Sequence, residues 1–75
     1  MKSRAHNLPA MLDLAKIERL RKQLKLTQQQ ASDAAELAGR QQWNAIVTGR
    51  QEGMTLRTLG KIAEALGVRA KDLLK

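Results

Sequence analysis

Aromatic side chains are scarce in this chain: Trp43 is the only one among 75 residues. The hydrophobic core must therefore consist of leucine, isoleucine, valine and alanine. Such composition suits packed helices better than a sheet, because strands favour aromatic and β-branched residues. The sequence predicts an all-α fold, and a chain of this length has room for one core only.

Leucine and isoleucine recur at spacings of three and four residues, which is typical of the buried face of a helix. In residues 12–24 this stripe consists of Leu14, Ile17, Leu20 and Leu24. In the segment capped by Thr55 it consists of Leu56, Leu59, Ile62, Ala63 and Leu66. Together with a last short helix at residues 70–74, these segments indicate a compact bundle of about five short helices.

Several side chains of these helices have expected structural roles. Glu18 and Lys22 are spaced to form an ion pair one turn apart. Gly60 is a poor helix former, and we expect it to allow close helix packing. Two interpretations stay open for Arg21 and Lys25. Such cations either stabilise the C-terminal end of the helix by interacting with its dipole, or they contact a phosphate.

Residues 27–49 form the central unit of the chain. Thr27 and Gln30 have the spacing of a capping box, which predicts the start of a short helix. A break follows at residues 38–39, and a second short helix covers Arg40–Val47 until Gly49 stops it. Its apolar side consists of Trp43, Ile46 and Val47, and its polar side of Arg40, Gln41 and Asn44. Two short helices joined by a tight turn make a candidate DNA-reading unit.

The chain is strongly basic, with a formal net charge of +7 and a pI of about 10.6. A small basic domain attracts polyanions, and nucleic acid is the expected partner. We expect residues 1–11, which include Lys2 and Arg4, to form a flexible basic arm, and residues 12–75 to form the folded domain. No segment has the apolar length of a membrane span or a secretory signal, so we expect a cytoplasmic protein.

Enzymatic activity is not expected from this residue set. The chain has no cysteine and one histidine, His6. It also lacks a glycine-rich phosphate loop and an obvious carboxylate pair. For the same reasons we expect no metal site and no cofactor.

Two separate segments resemble one family. The run Ile17-x-x-Leu20-Arg21, followed by Leu26-Thr27-Gln28, is similar to the opening of phage-repressor-type helix-turn-helix domains of the Cro/cI or XRE type. The closing pattern L-x-T-L-x-K-I-A-x-A-L-G-V…D-L-L of that family resembles residues 56–74. The resemblance covers residues 14–74 and implies a lambda-repressor-like DNA-binding fold.

The resemblance also implies a mechanism, in which the second helix of the unit lies in the major groove of double-stranded DNA. It assigns base contacts to Arg40, Gln41, Asn44 and Ala45. It assigns contacts with the DNA backbone to Gln28, Gln42, Thr48 and Arg50. The chemistry agrees, because arginine can bind guanine through two hydrogen bonds, and glutamine or asparagine can bind adenine in the same way.

The central unit departs from the family pattern at four places. Ala31 stands where the family has a leucine or valine. Glu36 stands where the family has a turn glycine, and Ser32 stands where it has a small alanine. The chain also carries one extra residue, which we place within residues 36–39. Because of this insertion, the alignment of the second helix with the family pattern can shift by one residue.

The sequence thus predicts a sequence-specific, double-stranded-DNA-binding transcriptional regulator that acts as a repressor. We expect a homodimer on a two-fold operator, joined through Leu73 and Leu74 or through the far end of the helix capped by Thr55. The alternative is a protein-interaction module of the same fold, an antitoxin-like or anti-repressor partner. An RNA-binding adaptor is a further alternative, although the chain lacks exposed aromatic residues for base stacking.

Overall fold

The computed structural model of the protein describes residues 12–51 and 54–75. Within these ranges it contains four α-helices, which are α1 (Leu14–Gln23), α2 (Gln28–Ala34), α3 (Arg40–Val47) and α4 (Leu56–Leu66). The all-α class is confirmed, and none of these helices has the length and apolar character that crossing a membrane requires. The predicted basic arm at residues 1–11 lies outside the described residues.

Among residues 12–51 and 54–75, the predicted count of about five helices is too high by one. The last element is a 3₁₀-helix, Ala70–Leu73, and it is too short for α-helical bonds. Its first bond runs from the Asp72 N–H to the Arg69 carbonyl at 2.9 Å. The Asp72 carboxylate in return accepts from the Arg69 N–H at 3.1 Å, so both ends of this turn are bonded locally.

The helix boundaries follow local hydrogen bonds. The Thr27 hydroxyl accepts from the Gln30 N–H at 3.0 Å, and the Gln30 side chain accepts from the Thr27 N–H at 2.9 Å. The predicted capping box at the start of α2 is therefore confirmed. Each α-helix is followed by a residue of positive φ, a left-handed conformation that turns the chain away. These residues are Lys25, Glu36, Gly49 and Gly67.

The core is aliphatic around one indole, as the composition indicates. The large hydrophobic side chains that are fully buried come from α1, α3, α4, the 3₁₀-helix and the residues before α1. They are Leu12, Ile17, Trp43, Leu59, Ile62 and Leu73. Helix α2 and the residue after it contribute the small side chains Ala31, Ser32 and Ala35, all at 0% exposure. Small residues allow α2 to pack closely against both α3 and α4.

The first and last described segments are joined to each other. Leu12 and Leu74 form a single antiparallel β-bridge, and the Asp13 N–H donates to the Leu73 carbonyl at 2.7 Å. The 3₁₀-helix packs on α4 and α1. We call the bridge and the 3₁₀-helix together the clasp, which joins α1 to α4.

Three expectations about the helix faces are wrong. Leu24 is 48% exposed and Leu56 is 72% exposed, because both lie at helix ends where the stripe extends beyond the neighbouring elements. Gly60 has no close packing role, since a Cβ at this position would meet no atom within 4 Å. The interior of each stripe is nevertheless buried, including Ile17, Leu59 and Ile62.

Candidate nucleic-acid interface

Helix α3 covers Arg40–Val47, the same range that the sequence predicts. Trp43 and Ile46, three residues apart, are 0% and 2% exposed and anchor the helix in the core. The prediction that Trp43 is a core residue is confirmed. Because Trp43 and Ile46 share one face, the opposite face of α3 is directed away from the core.

The Trp43 side chain also forms a polar contact with α1. Its indole Nε1 donates to Glu18 Oε2 at 2.7 Å, across 25 residues of sequence. Glu18 accepts two further bonds from Arg21, at 2.8 Å from Nε and 2.9 Å from Nη2. The predicted Glu18–Lys22 pair is therefore wrong, because the forked guanidinium of Arg21 binds both carboxylate oxygens.

These contacts keep Glu18 ionised. The hydrogen bond from Arg21 lowers the pKa of Glu18 to about 2, against the opposing effect of burial and with help from the side chains of Trp43 and Gln28. Arg21 continues the chain of contacts, since its Nη1 donates to the Leu26 carbonyl at 2.6 Å. This favours the structural interpretation of Arg21, and Glu18 thus connects the reading helix to the start of α2.

The four candidate base-contacting residues lie on the free face of α3. Arg40 and Gln41 are exposed at its start, and Asn44 and Ala45 are half-buried one turn later. All four positions are rotated away from Trp43 and Ile46 on the helix. The structure therefore brings together, on one surface, the residues that the resemblance selects.

The candidate backbone-contacting residues lie at the start of α2, within α3 and just beyond the end of α3. Gln28 is the first residue of α2 and is half-buried, whereas Thr48 and Arg50 are exposed just beyond the end of α3. Gln42 has a second role, because its Oε1 accepts from the Ala38 N–H at 2.8 Å and ties down the start of α3. Its amide NH₂ group is not used in that bond.

Asn44, Thr48 and Arg50 form one hydrogen-bonded group. Arg50 Nη2 donates to Asn44 Oδ1 at 2.7 Å, and Arg50 Nε donates to Thr48 Oγ1 at 3.1 Å. The Thr48 hydroxyl in turn donates to the Asn44 carbonyl at 2.7 Å. Sequence reasoning placed these residues separately and missed their contacts, although the positive φ expected at Gly49 already indicated a sharp turn there.

The turn between α2 and α3 accommodates the unusual residue at its centre. Glu36 stands at φ 58°, the left-handed conformation expected of a glycine at that place. Leu37 N–H donates to the Ser32 carbonyl at 2.9 Å, which closes the end of α2. Glu36 Oε1 also accepts from Lys61 Nζ of α4 at 2.7 Å, and Lys61 holds the pKa of this carboxyl below its usual range.

Glu18 is the residue of this surface that sequence reasoning missed. Its position three residues before Arg21 was a signal for the ion pair, but nothing local indicated the bond to Trp43. That contact exists only because α1 and α3 pack against each other.

A family described as a helix-turn-helix domain matches residues 15–75 of the chain. No curated protein and no solved structure gives a significant match.

Proposed function

The chain belongs to the helix-turn-helix domain family of the XRE/Cro–cI type, whose members are DNA-binding regulators, and from this premise we propose that it is a sequence-specific transcriptional repressor. It reads the major groove of double-stranded DNA with α3. A repressor of this kind occupies a promoter and excludes polymerase.

The observation that carries this proposal is the division of α3 into two faces. Trp43 and Ile46 fix the helix in the core, while Arg40, Gln41 and Asn44 project from the other side. A rigidly held helix with arginine and amide side chains on its free face has the chemistry of major-groove recognition. The net charge of +7 supplies the attraction to the phosphates.

Each side chain has a proposed role. Arg40 binds guanine, Gln41 and Asn44 contact base edges, and Ala45 contacts a thymine methyl group. The residues that contact the DNA backbone and position the domain are Gln28, Gln42, Thr48 and Arg50. Half-burial of Gln28 beside Glu18 supports its role, because a held side chain loses less freedom on binding.

We propose a homodimer on a two-fold operator, since one domain of this size covers little DNA. Leu73 and Leu74 are poor candidates for the dimer contact. Leu73 is 0% exposed, and Leu74 is paired with Leu12. The far end of α4, where Glu64 and Gly67 are exposed, is therefore the proposed contact.

Selection from a randomised DNA duplex pool at near-physiological salt tests the proposal. We expect enrichment of a two-fold symmetric motif. Enrichment of one short asymmetric motif would support sequence-specific binding but contradict the proposed dimer. Binding without enrichment would reduce the protein to an electrostatic DNA binder. Absence of binding would contradict DNA recognition and favour the protein-interaction alternative.

The roles of single residues are tested in the same selection. Arg40→Ala and Gln41→Ala should each relax preference at particular base pairs while the fold stays intact. Gln28→Ala should weaken binding to all sequences nearly equally, because a phosphate contact carries no sequence information. Unchanged preference in both α3 variants would show that the register of the reading helix is wrong.

A further inference from the structure

The end of α3 turns the chain back over the reading face. Gly49 has φ 78°, and the Arg50 N–H donates to the Ala45 carbonyl at 2.9 Å. This arrangement closes the helix and starts the Arg50 side chain above its last turn. Arg50 can therefore reach a residue of α3 that precedes it by six positions.

The residue that it reaches is Asn44, and the contact determines how the Asn44 carboxamide is oriented. A guanidinium has only N–H donors, so the atom of Asn44 that faces Arg50 Nη2 at 2.7 Å must be the oxygen Oδ1. Arg50 is itself held, because its Nε donates to Thr48 Oγ1 at 3.1 Å. The terminal torsion of a free asparagine is broad and roughly two-fold, and this contact selects one of its two orientations.

We infer that Arg50 is a specificity-determining positioning residue, which sets the base that Asn44 prefers. This inference rests on the proposed function of α3 as a major-groove reader. Bidentate binding of adenine by asparagine needs Oδ1 to accept from N6 and Nδ2 to donate to N7. One lone pair of Oδ1 accepts from Arg50, and the positive guanidinium beside it opposes the approach of a second donor such as adenine N6. Asn44 therefore presents its NH₂ group, which is a donor only.

Guanine is the base that matches this donor. Its major-groove edge carries two acceptors, N7 and O6, whereas thymine presents one acceptor and a methyl group, adenine presents one acceptor and one donor, and cytosine presents a donor. Arg50 therefore moves the preference of Asn44 from adenine to guanine. The N–H groups of Arg50 that bind neither Asn44 nor Thr48 remain for a phosphate, so one side chain serves both contacts.

Substitution of Arg50 by lysine separates these two contacts. Arg50→Lys keeps the positive charge but loses the planar fork that spans Asn44 and Thr48. Arg19→Lys is the matched control, because Arg19 is an exposed arginine on α1. DNA is selected from a randomised duplex pool with the wild type and with four variants, which are Arg50→Lys, Arg19→Lys, Asn44→Ala and the double variant Arg50→Lys/Asn44→Ala. Thermal melting first confirms that each variant is folded.

Asn44→Ala identifies the base pair that Asn44 reads, since the preference there disappears. We expect guanine at this position in the wild type. In Arg50→Lys the preference for guanine over adenine at this position should fall about fivefold or more, while the preferences at the other positions of the motif stay unchanged. Arg19→Lys should retain the wild-type motif, and the double variant should equal Asn44→Ala at this position.

The outcomes that overturn the inference are distinct from failure of the proposed function. Three outcomes would each overturn the role of Arg50 but leave sequence-specific DNA binding supported. They are adenine at the Asn44 position, an unchanged guanine preference in Arg50→Lys, and no effect of Asn44→Ala. Only the absence of any enriched motif in the wild type would overturn both proposals.

Discussion

Trp43 shows how one residue combines packing and orientation. It fills the core as the only aromatic side chain, and its indole N–H binds the Glu18 carboxylate at 2.7 Å. Burial holds α3 against the core, and the directional hydrogen bond fixes the rotation of the indole. The two contributions can be separated by substitution.

Trp43→Ala should lower the free energy of unfolding by about 3–5 kcal/mol, because it removes a buried indole. Trp43→Phe keeps most of the apolar surface and removes the N–H donor, so we expect an intermediate stability between those of wild type and Trp43→Ala. Urea denaturation measures all three proteins. An unchanged midpoint for Trp43→Ala would contradict burial of this residue.

Glu18 should make stability depend on pH in the acid range. Its pKa is lowered from 4.5 to about 2 in the folded protein, so its stabilising contribution is complete above pH 4.5 and disappears as the pH falls towards 2. Glu18→Gln should therefore be less stable than wild type at pH 7 and lose less on acidification. Thermal melts from pH 7 to 2 measure this, with substitution of an exposed carboxylate, Asp33→Asn, as control. Parallel curves for Glu18→Gln and wild type would contradict the assignment.

Ser32 is a buried hydroxyl for which the described residues provide no hydrogen-bond partner. Ser32→Ala should raise the free energy of unfolding by roughly 1 kcal/mol, because an unpaired buried polar group is costly. The same loss of a hydroxyl in Thr55→Ala should lower it by about 1 kcal/mol, since Thr55 caps α4 through the Thr58 N–H at 3.1 Å. Two shifts of the same sign would refute this assignment. Chemical denaturation measures both changes in the free energy of unfolding.

At the scale of elements, helix ends dominate the local structure. All four α-helices are followed by a left-handed residue, and two of these are not glycine. Glu36 partly offsets the conformational cost through its ion pair with Lys61, which also joins the α2–α3 turn to α4. Helix α3 is therefore bonded to α1 through Trp43 and Glu18, and the turn before it is bonded to α4 through Glu36 and Lys61.

Gly60→Ala should stabilise α4. A Cβ at residue 60 meets no atom within 4 Å, and alanine is favoured over glycine in a helix interior by about 1 kcal/mol. The melting temperature should rise by about 4–8 °C. Gly49→Ala is the opposite control, because φ 78° strains an L-residue and it should melt lower. A lower melting temperature for Gly60→Ala would restore the packing role that we reject.

At the scale of the whole molecule, the clasp between the two ends of the described chain completes the core. Leu12 and Leu73 are both 0% exposed, although neither lies in an α-helix. The 3₁₀-helix of the clasp contacts α1 and α4, whereas Arg40 and Gln41 of α3 stay exposed.

Leu73→Ala should cost about 2–5 kcal/mol, a large part of the stability of a domain this small. Leu56→Ala makes the same chemical change at a side chain that is 72% exposed, and it should stay within about 0.5 kcal/mol of wild type. Equilibrium unfolding of the two variants compares them directly. Equal losses would contradict the difference in burial on which the clasp depends.

The sequence alone was sufficient for the features that depend on neighbouring residues. The capping box at Thr27, the range of α3 and the left-handed stop at Gly49 all follow from hydrogen bonds that span a few residues. Burial of Trp43 and the all-α class followed from composition and periodicity. Such interactions can be recognised in one dimension because both partners lie within one or two turns.

Only the tertiary structure decided which distant groups meet. The bond from Trp43 to Glu18 and the ion pair of Lys61 with Glu36 each join residues 25 positions apart, and the Leu12–Leu74 bridge joins the two ends. The exposure of Leu56 likewise depends on where the neighbouring helices end. Periodicity identifies the face of a helix, but the physical reach of the elements packed against it determines how much of that face is buried.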